Sequence, residues 1–415
     1  MTEIVEKGLG RVVAQPSAHV FIRQKFFNRT IDITDADIAA EILRDNETFH
    51  LEKTFLTLFH GMFDTGIMGQ EGAPWKSRRQ MLHVPFRQKS IEDRFRPIME
   101  SESARIFNRL ALGQSETVNV FSLTEEFTCA VIARGLIESP QIKMDIAGLV
   151  KDLQKRPNLS HFAQVILLQQ GLPIPFVHRR PRSPDTLSRP SQDVMNFIRK
   201  ARDEGYDKND ILSDLLKVKN PDGSALTESE IYDQITSLLL AGFFTTQTAI
   251  AFAIDEMTKE PAILERAVAE ARSDGTQYPL IENVVKESLR LHPPVHGSFR
   301  NATKPVSFGA LEIKPSDMLR VDIRGIQRNA AYFNEPDKFD PDRFNGPIPK
   351  NAYIPFGYGL RSCIGQRLAM QESVHFIVAL LKNFDIETTQ HFEGERKSIG
   401  FMVPRGELKI QVQPV

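Results

Sequence analysis

The chain has 415 residues, 41% of them hydrophobic and 25% charged, with a formal net charge of −1. Such usage supplies apolar material for a large core, and the near-zero charge argues against a nucleic-acid binder, which needs a large basic surplus. Two cysteines, Cys129 and Cys363, cannot build a disulfide framework, and no CxxC pair suggests zinc. The opening MTEIVEKGLGRVV has no apolar stretch of the signal-peptide or anchor kind, so a cytoplasmic protein without a membrane segment is expected. No low-complexity linker or internal repeat divides the chain.

In chain order, two β-rich segments come first, His19 to Ile22 and Thr30 to Thr34. Thr34 and Asp37 form a capping-box pattern ahead of Ile38-Ala-Ala-Glu-Ile-Leu, predicting a helix. Residues 51–70 are apolar but broken by glycines and predict an irregular loop. The pattern is then helical with short breaks from Trp75 to about residue 155, and the proline- and arginine-rich segment 178–190 predicts a surface excursion.

The longest signal begins at the capping box Thr227-Glu-Ser-Glu230 and runs to Pro261. Its length is about 33 residues, roughly 50 Å of helix at 1.5 Å per residue. Its middle is apolar nearly all round. Thr245, Thr246, Gln247 and Thr248 at its centre favour a buried core helix over a membrane span. Beyond residue 300 come short β-like pieces, PVSFGALEI and MLRVDI. The prediction is a mainly α protein with a small β region.

The stretch PFGYGLRSCIGQRLA, Pro355 to Ala369, sets Cys363 among Gly357, Gly359 and Gly365, just before a helical run from Gln366. Glycines let the backbone turn tightly and approach a partner closely, and a helix N-terminus favours a thiolate. Such a thiolate could be a nucleophile, a redox sensor or a metal ligand; an inert turn residue is the plain alternative. Phe356, Gly359, Arg361, Cys363 and Gly365 together spell F-x-x-G-x-R-x-C-x-G, and on this motif the chain resembles the cytochrome P450 family. The resemblance implies one P450 domain over residues 10–413, a P450 fold with the long helix crossing a buried haem b, and Cys363 as the axial thiolate. It places Phe356 and Gly357 beside the sulfur and Arg361 on a haem propionate.

Further motifs carry the same resemblance. Glu287 and Arg290 in KESLRLHPP, with Arg343 in PDRF, match the family's buried E-x-x-R and arginine triad. The spacing alone decides nothing, because Glu41/Arg44, Glu102/Arg105 and Glu393/Arg396 share it and read as surface ion pairs. Trp75 and Arg79, one turn apart in WKSRR, resemble the propionate-binding helix, and Arg300 in SFRNA matches another propionate arginine. Ala241-Gly-Phe-Phe-Thr-Thr246 matches the oxygen-side motif, which implies that Gly242 makes room for dioxygen and Thr245, followed by Thr246, hydrogen-bonds to it. The chain departs from the family at Phe244, where an acid is usual, and at Gln327-Arg-Asn329, where His-Arg-Asp is common.

The function implied is a monomeric monooxygenase acting on a small apolar substrate, with electrons from a separate ferredoxin and ferredoxin reductase, because no flavin or iron–sulfur module is present. Lys76, Arg78 and Arg367 are the expected docking residues. A peroxide-driven oxygenase, or a haem-thiolate isomerase or dehydratase, is the alternative that Phe244 favours; a haem sensor without turnover is a third. The family's architecture implies a pocket lined by the 51–70 loop with Phe63, by Leu239, Phe243 and Phe244, by Val295 to Phe299, and by Phe401 and Met402.

Overall fold

The computed structural model describes residues 4–6, 11–15, 20–25, 28–52, 65–113, 116–139, 189–397 and 401–415. Phe63 and residues 178–188 of the proline- and arginine-rich segment lie outside them.

The first helix, α1 (Ala36–Arg44), turns Ala36, Ala39, Ala40, Ile42 and Leu43 inward. Its cap is Asp35, whose carboxylate accepts from the Asp37 and Ile38 amides at 3.0 and 2.9 Å. Thr34, one residue earlier, was the expected cap; it lies ahead of the extended residue whose side chain reaches back to the free amides. Three helices follow, α2 (Gly72–His83), α3 (Arg96–Ala111) and α4 (Val120–Leu136). A short strand, β6 (Glu116–Asn119), interrupts the run expected to be helical.

Beyond α5 (Arg189–Asp203) and α6 (Ile211–Lys217) lies the long helix α7 (Glu228–Lys259), 32 residues. The Thr227–Glu230 capping box forms in both directions, and Pro261 opens the next helix, α8 (Pro261–Ala271). The proline stops one helix and starts another because its missing N–H and fixed φ suit only a first turn. Then come α9 (Pro279–Leu291), α10 (Ile323–Gln327) and α11 (Gln366–Asn383).

Helix α7 is buried on nearly every side, from Ile231 to Met257, and packs against α4, α9 and α11. It is the one helix among the described residues long and apolar enough to cross a membrane, and 72% of its most apolar window is buried inside the protein. Its approach to α4 is close at Gly242, where an added Cβ would lie 2.9 Å from Ile132 Cδ1. The missing side chain of Gly242 therefore already serves helix packing.

The β portion forms a second layer. Strands β1 (Ile4–Glu6), β2 (Arg11–Gln15), β3 (Val20–Lys25) and β4 (Asn28–Ile33) join β5 (Phe49–Leu51), β7 (Ser298–Ala302) and β10 (Met318–Val321) in one sheet, ordered β1-β2-β3-β4-β10-β7-β5. Only the β10–β4 pairing is parallel. PVSFGALEI folds as the hairpin β8 (Val306–Phe308) and β9 (Leu311–Ile313), turning at Gly309 with φ +57°. Strands β11 (Phe384–Gln390) and β14 (Lys409–Pro414) pair with each other and β14 with β6, while β12 (Gly394–Lys397) and β13 (Met402–Arg405) form a hairpin. The helices and the large sheet enclose separate apolar cores, and the cysteine loop runs between them.

Candidate active site and cofactor cradle

The cysteine loop is shaped by its backbone. The Cys363 amide donates to the Phe356 carbonyl at 2.8 Å, and Gly357 and Ser362 close smaller turns on Ile354 and Gly359. Gly357 and Gly359 have φ of +71° and +72°, which L side chains rarely adopt. At Gly359 even a methyl group would meet the Leu43 carbonyl oxygen at 2.6 Å, so the loop sits directly on the end of α1. Phe356 is partly buried against the helical core.

Helix α11 starts at Gln366 with Gly365 as its N-cap, which sets Cys363 at the amide-bearing end. Cys363 is an exposed residue, and protein packed around the loop desolvates its thiol. That burial pushes its thiol up, while the Gly365 amide and nearby Arg79 pull it back toward the thiolate. Cys129, half-buried on α4, is pushed up to about 12 by desolvation and two carboxylates, so it is the inert thiol of the two.

Three guanidiniums converge beside this loop. Helix α2 buries Trp75, Arg78 and Leu82 on one face and leaves Arg79 partly exposed. The Arg361 guanidinium lies over the Trp75 ring, 4.3 Å from its centroid, donates to the Gln70 carbonyl at 3.0 Å and stands 3.6 Å from Glu71. Arg300 on β7 is 3% exposed and, among the described residues, donates only to the neutral Ser298 hydroxyl and Phe299 carbonyl, both at 2.8 Å. Its Nε has no partner among the described residues. Burial lowers Arg300 and Arg361 to about 10, and the arginines repel one another while Glu71 partly compensates. Burial also lowers Arg79, opposed by the Cys363 sulfur. A largely buried arginine cluster short of anions, next to a cysteine two residues ahead of a helix N-cap, fits a ligand carrying carboxylates and a metal, as haem does.

Arg78 was expected in the exposed docking surface with Lys76 and Arg367, and the structure overturns this. It is buried, pairs with Glu230 of the α7 capping box and donates to Asn220 at 2.9 Å, so it locks α2 to the start of α7.

Behind the loop, Glu287 and Arg290 are fully buried and bidentate, at 2.7 and 2.8 Å. Arg290 also donates to the carbonyls of Gln327, Pro336 and Lys338. Glu287 also accepts from the Asp340 amide at 3.0 Å and stands 3.3 Å from Arg343 Nε. The Phe333 ring lies beneath both guanidiniums.

Sequence reasoning treated Gln327 only as a departure. Its amide donates to the carbonyls of Leu289 and Arg290, and its oxygen accepts from the Ile354 amide at 2.9 Å. It thus ties the buried ion pair to the segment leading into the cysteine loop. His292 was also missed. Its ring stacks on Phe252 between Glu256 and Glu395, 3.3 and 3.6 Å away, and joins the β12–β13 hairpin to α7.

On α7, Thr245 Oγ1 donates to the Ala241 carbonyl at 2.7 Å, one turn back, and Thr246 is buried. Phe244 is partly buried and meets Phe401 edge-on at 5.6 Å and Phe243 at 6.5 Å. Phe401 is held there by the Met402 amide, which donates to the Pro294 carbonyl at 2.7 Å. Val295 and Phe299 are half-buried, whereas Leu239, at 1% exposure, is packed in the helical core.

Comparison with known proteins agrees with this site. The family profile described as Cytochrome P450 matches residues 18–413. Cytochrome P450 137 of Mycobacterium tuberculosis is 28% identical over 368 residues, 85% of this chain and 74% of that one. Beta-amyrin 6-beta-monooxygenase of Solanum lycopersicum is 30% identical over 242 residues, 54% of this chain and 50% of its own. Among solved structures, the cytochrome P450DA haem domain has a TM-score of 0.78 at 19% identity, covering 97% of this chain and 91% of its own. The cyanobacterial CYP120A1, with retinoic acid bound, has a TM-score of 0.79 at 21% identity, covering 96% and 92%. A haem-thiolate fold is what the cysteine loop and the buried triad define, and the chain belongs to the cytochrome P450 family. It is a P450 monooxygenase with haem as its cofactor.

Proposed function

We propose that the protein inserts one oxygen atom from dioxygen into a small apolar substrate, with electrons from a separate ferredoxin and its reductase. The observation that carries the substrate class is the aromatic wall of Phe243, Phe244 and Phe401 beside Thr245. A wall of ring edges offers dispersion and no charge, so it favours hydrocarbon and excludes water.

Cys363 would hold the haem iron, with Arg79, Arg300 and Arg361 on its carboxylates, and the group so held supplies oxygen activation. The chain's own task is to deliver protons at Thr245 Oγ1. That hydroxyl now donates to Ala241, and its rotation frees the proton for a ligand. Phe244 has no proton to give, so Thr245 is replenished by water or by a polar group of the substrate. Thr245→Ala is therefore expected to keep haem and substrate binding, divert electrons into hydrogen peroxide and lower product per electron consumed. Unchanged coupling would move the assignment to the peroxide-driven, isomerase or dehydratase chemistry that Phe244 favours. Turnover with peroxide alone, compared with donor plus partner, separates these.

Electron delivery is assigned to the surface bearing Lys76 and Arg367, both exposed. Reversing these charges is expected to slow reduction by an acidic ferredoxin, most at low ionic strength. A rate independent of both charge and salt rules the surface out.

A further inference from the structure

The three arginines assigned to the haem carboxylates come from separate parts of the chain: α2, β7 and the cysteine loop. One residue, Glu71, links all three parts: it meets α2 and the cysteine loop directly and β7 through the neighbouring strand β5. It immediately precedes α2 and so fixes the start of the helix bearing Trp75 and Arg79. Its Oε1 accepts from the Leu51 amide at 2.6 Å, and Leu51 is the register partner of Arg300 across β5 and β7. The same oxygen forms an ion pair with Arg361 Nη2 at 3.6 Å, and that nitrogen donates its hydrogen bond to the adjacent Gln70 carbonyl.

The segment leading to Glu71 is anchored at its far end by α7. Asp233 accepts from the Thr65 amide and hydroxyl at 3.0 and 2.8 Å. Gln234 accepts from the Ile67 amide at 3.1 Å and donates to the Thr65 carbonyl at 2.6 Å. Both side chains are buried. Residues 65–71 thus form a strap from α7 to the arginine cluster. Glu71 is also the carboxylate that opposes the burial and repulsion of Arg300 and Arg361.

We propose that Glu71 is a positioning residue for haem retention, setting the mutual spacing of the three guanidiniums through its hydrogen bond from the Leu51 amide and its ion pair with Arg361. The proposal rests on assigning those arginines to the haem carboxylates. Without Glu71, the β5–β7 edge loses its tie to α2, and Arg361 keeps only the Gln70 carbonyl and the Trp75 face. The side-chain carbonyl of Glu71→Gln still accepts from the Leu51 amide but gives up the charge facing Arg361, whereas Glu71→Ala offers neither.

The test is the rate of haem transfer from ferric holoenzyme to excess apomyoglobin. Glu71→Ala is expected to lose haem about tenfold faster than wild type, the factor that one such hydrogen bond is worth. Glu71→Gln is expected within about threefold of wild type, a rescue that follows from the retained acceptor. Wild-type retention in Glu71→Ala, or equally fast loss from both variants, overturns the proposal. Arg300→Ala serves as the control on the cradle. If it loses haem no faster than wild type, the carboxylate assignment fails, and the proposal with it.

Discussion

Glu287→Ala or Arg290→Ala is expected to leave little haem-loaded protein in the soluble fraction. Both side chains are fully buried, and each is the other's principal counter-charge. Removing one strands an ion in the interior at a cost of about 3–5 kcal/mol, a large share of the roughly 5–15 kcal/mol that keeps a domain folded. The damage spreads because Arg290 also holds the carbonyls of Gln327, Pro336 and Lys338, and Gln327 holds the Ile354 amide ahead of the cysteine loop. Glu41→Ala is the matched control: Glu41 has the same i, i+3 spacing but is exposed, and Arg44 bonds the Tyr358 hydroxyl instead. Its effect should stay within about 0.5 kcal/mol. The readout is Soret absorbance relative to protein absorbance; equal ratios in Glu287→Ala, Arg290→Ala and Glu41→Ala would remove the distinction between buried and surface pairs.

Glu102 shows where sequence spacing stopped being informative. It reads as a surface partner of Arg105, but α3 presents it to α4, where it is buried between Arg105 and Arg134, each at 2.8 Å. Burial there depends on how two helices cross, which spacing within one helix does not encode. Arg78 fails for the same reason, because its partners Asn220 and Glu230 arrive from far along the chain. Long-range polar contacts were the hidden part of the site.

Local signals were legible where chemistry is local. The ends of α7 follow from a capping box and a proline, and the shape of the cysteine loop from glycines whose φ values no other residue adopts easily. At the start of α1 the signal was ambiguous, since Thr34 and Asp35 are both capping types and only backbone geometry chose Asp35. The aromatic contact on α7 was half legible. Phe244 and Phe401 were both expected, but their edge-on contact depends on the β12–β13 hairpin returning to α7, which His292 and the Met402–Pro294 bond arrange. Leu239 shared the apolar character of its pocket neighbours, yet its turn of α7 faces the core.

The central claim is that Cys363 is the thiolate that holds haem, and the absorption spectrum of the reduced, carbon monoxide-treated protein tests it most directly. Wild type should show the red-shifted Soret band of a thiolate ligand, because Cys363 stands at the start of α11 with the Gly365 amide turned toward its sulfur. Cys363→His should lose that band and show the spectrum of a nitrogen-ligated haem. Cys129→Ala should keep the wild-type band, since the half-buried Cys129 thiol is raised to about 12 and stays protonated. A thiolate spectrum that survives in Cys363→His and disappears in Cys129→Ala would contradict the account.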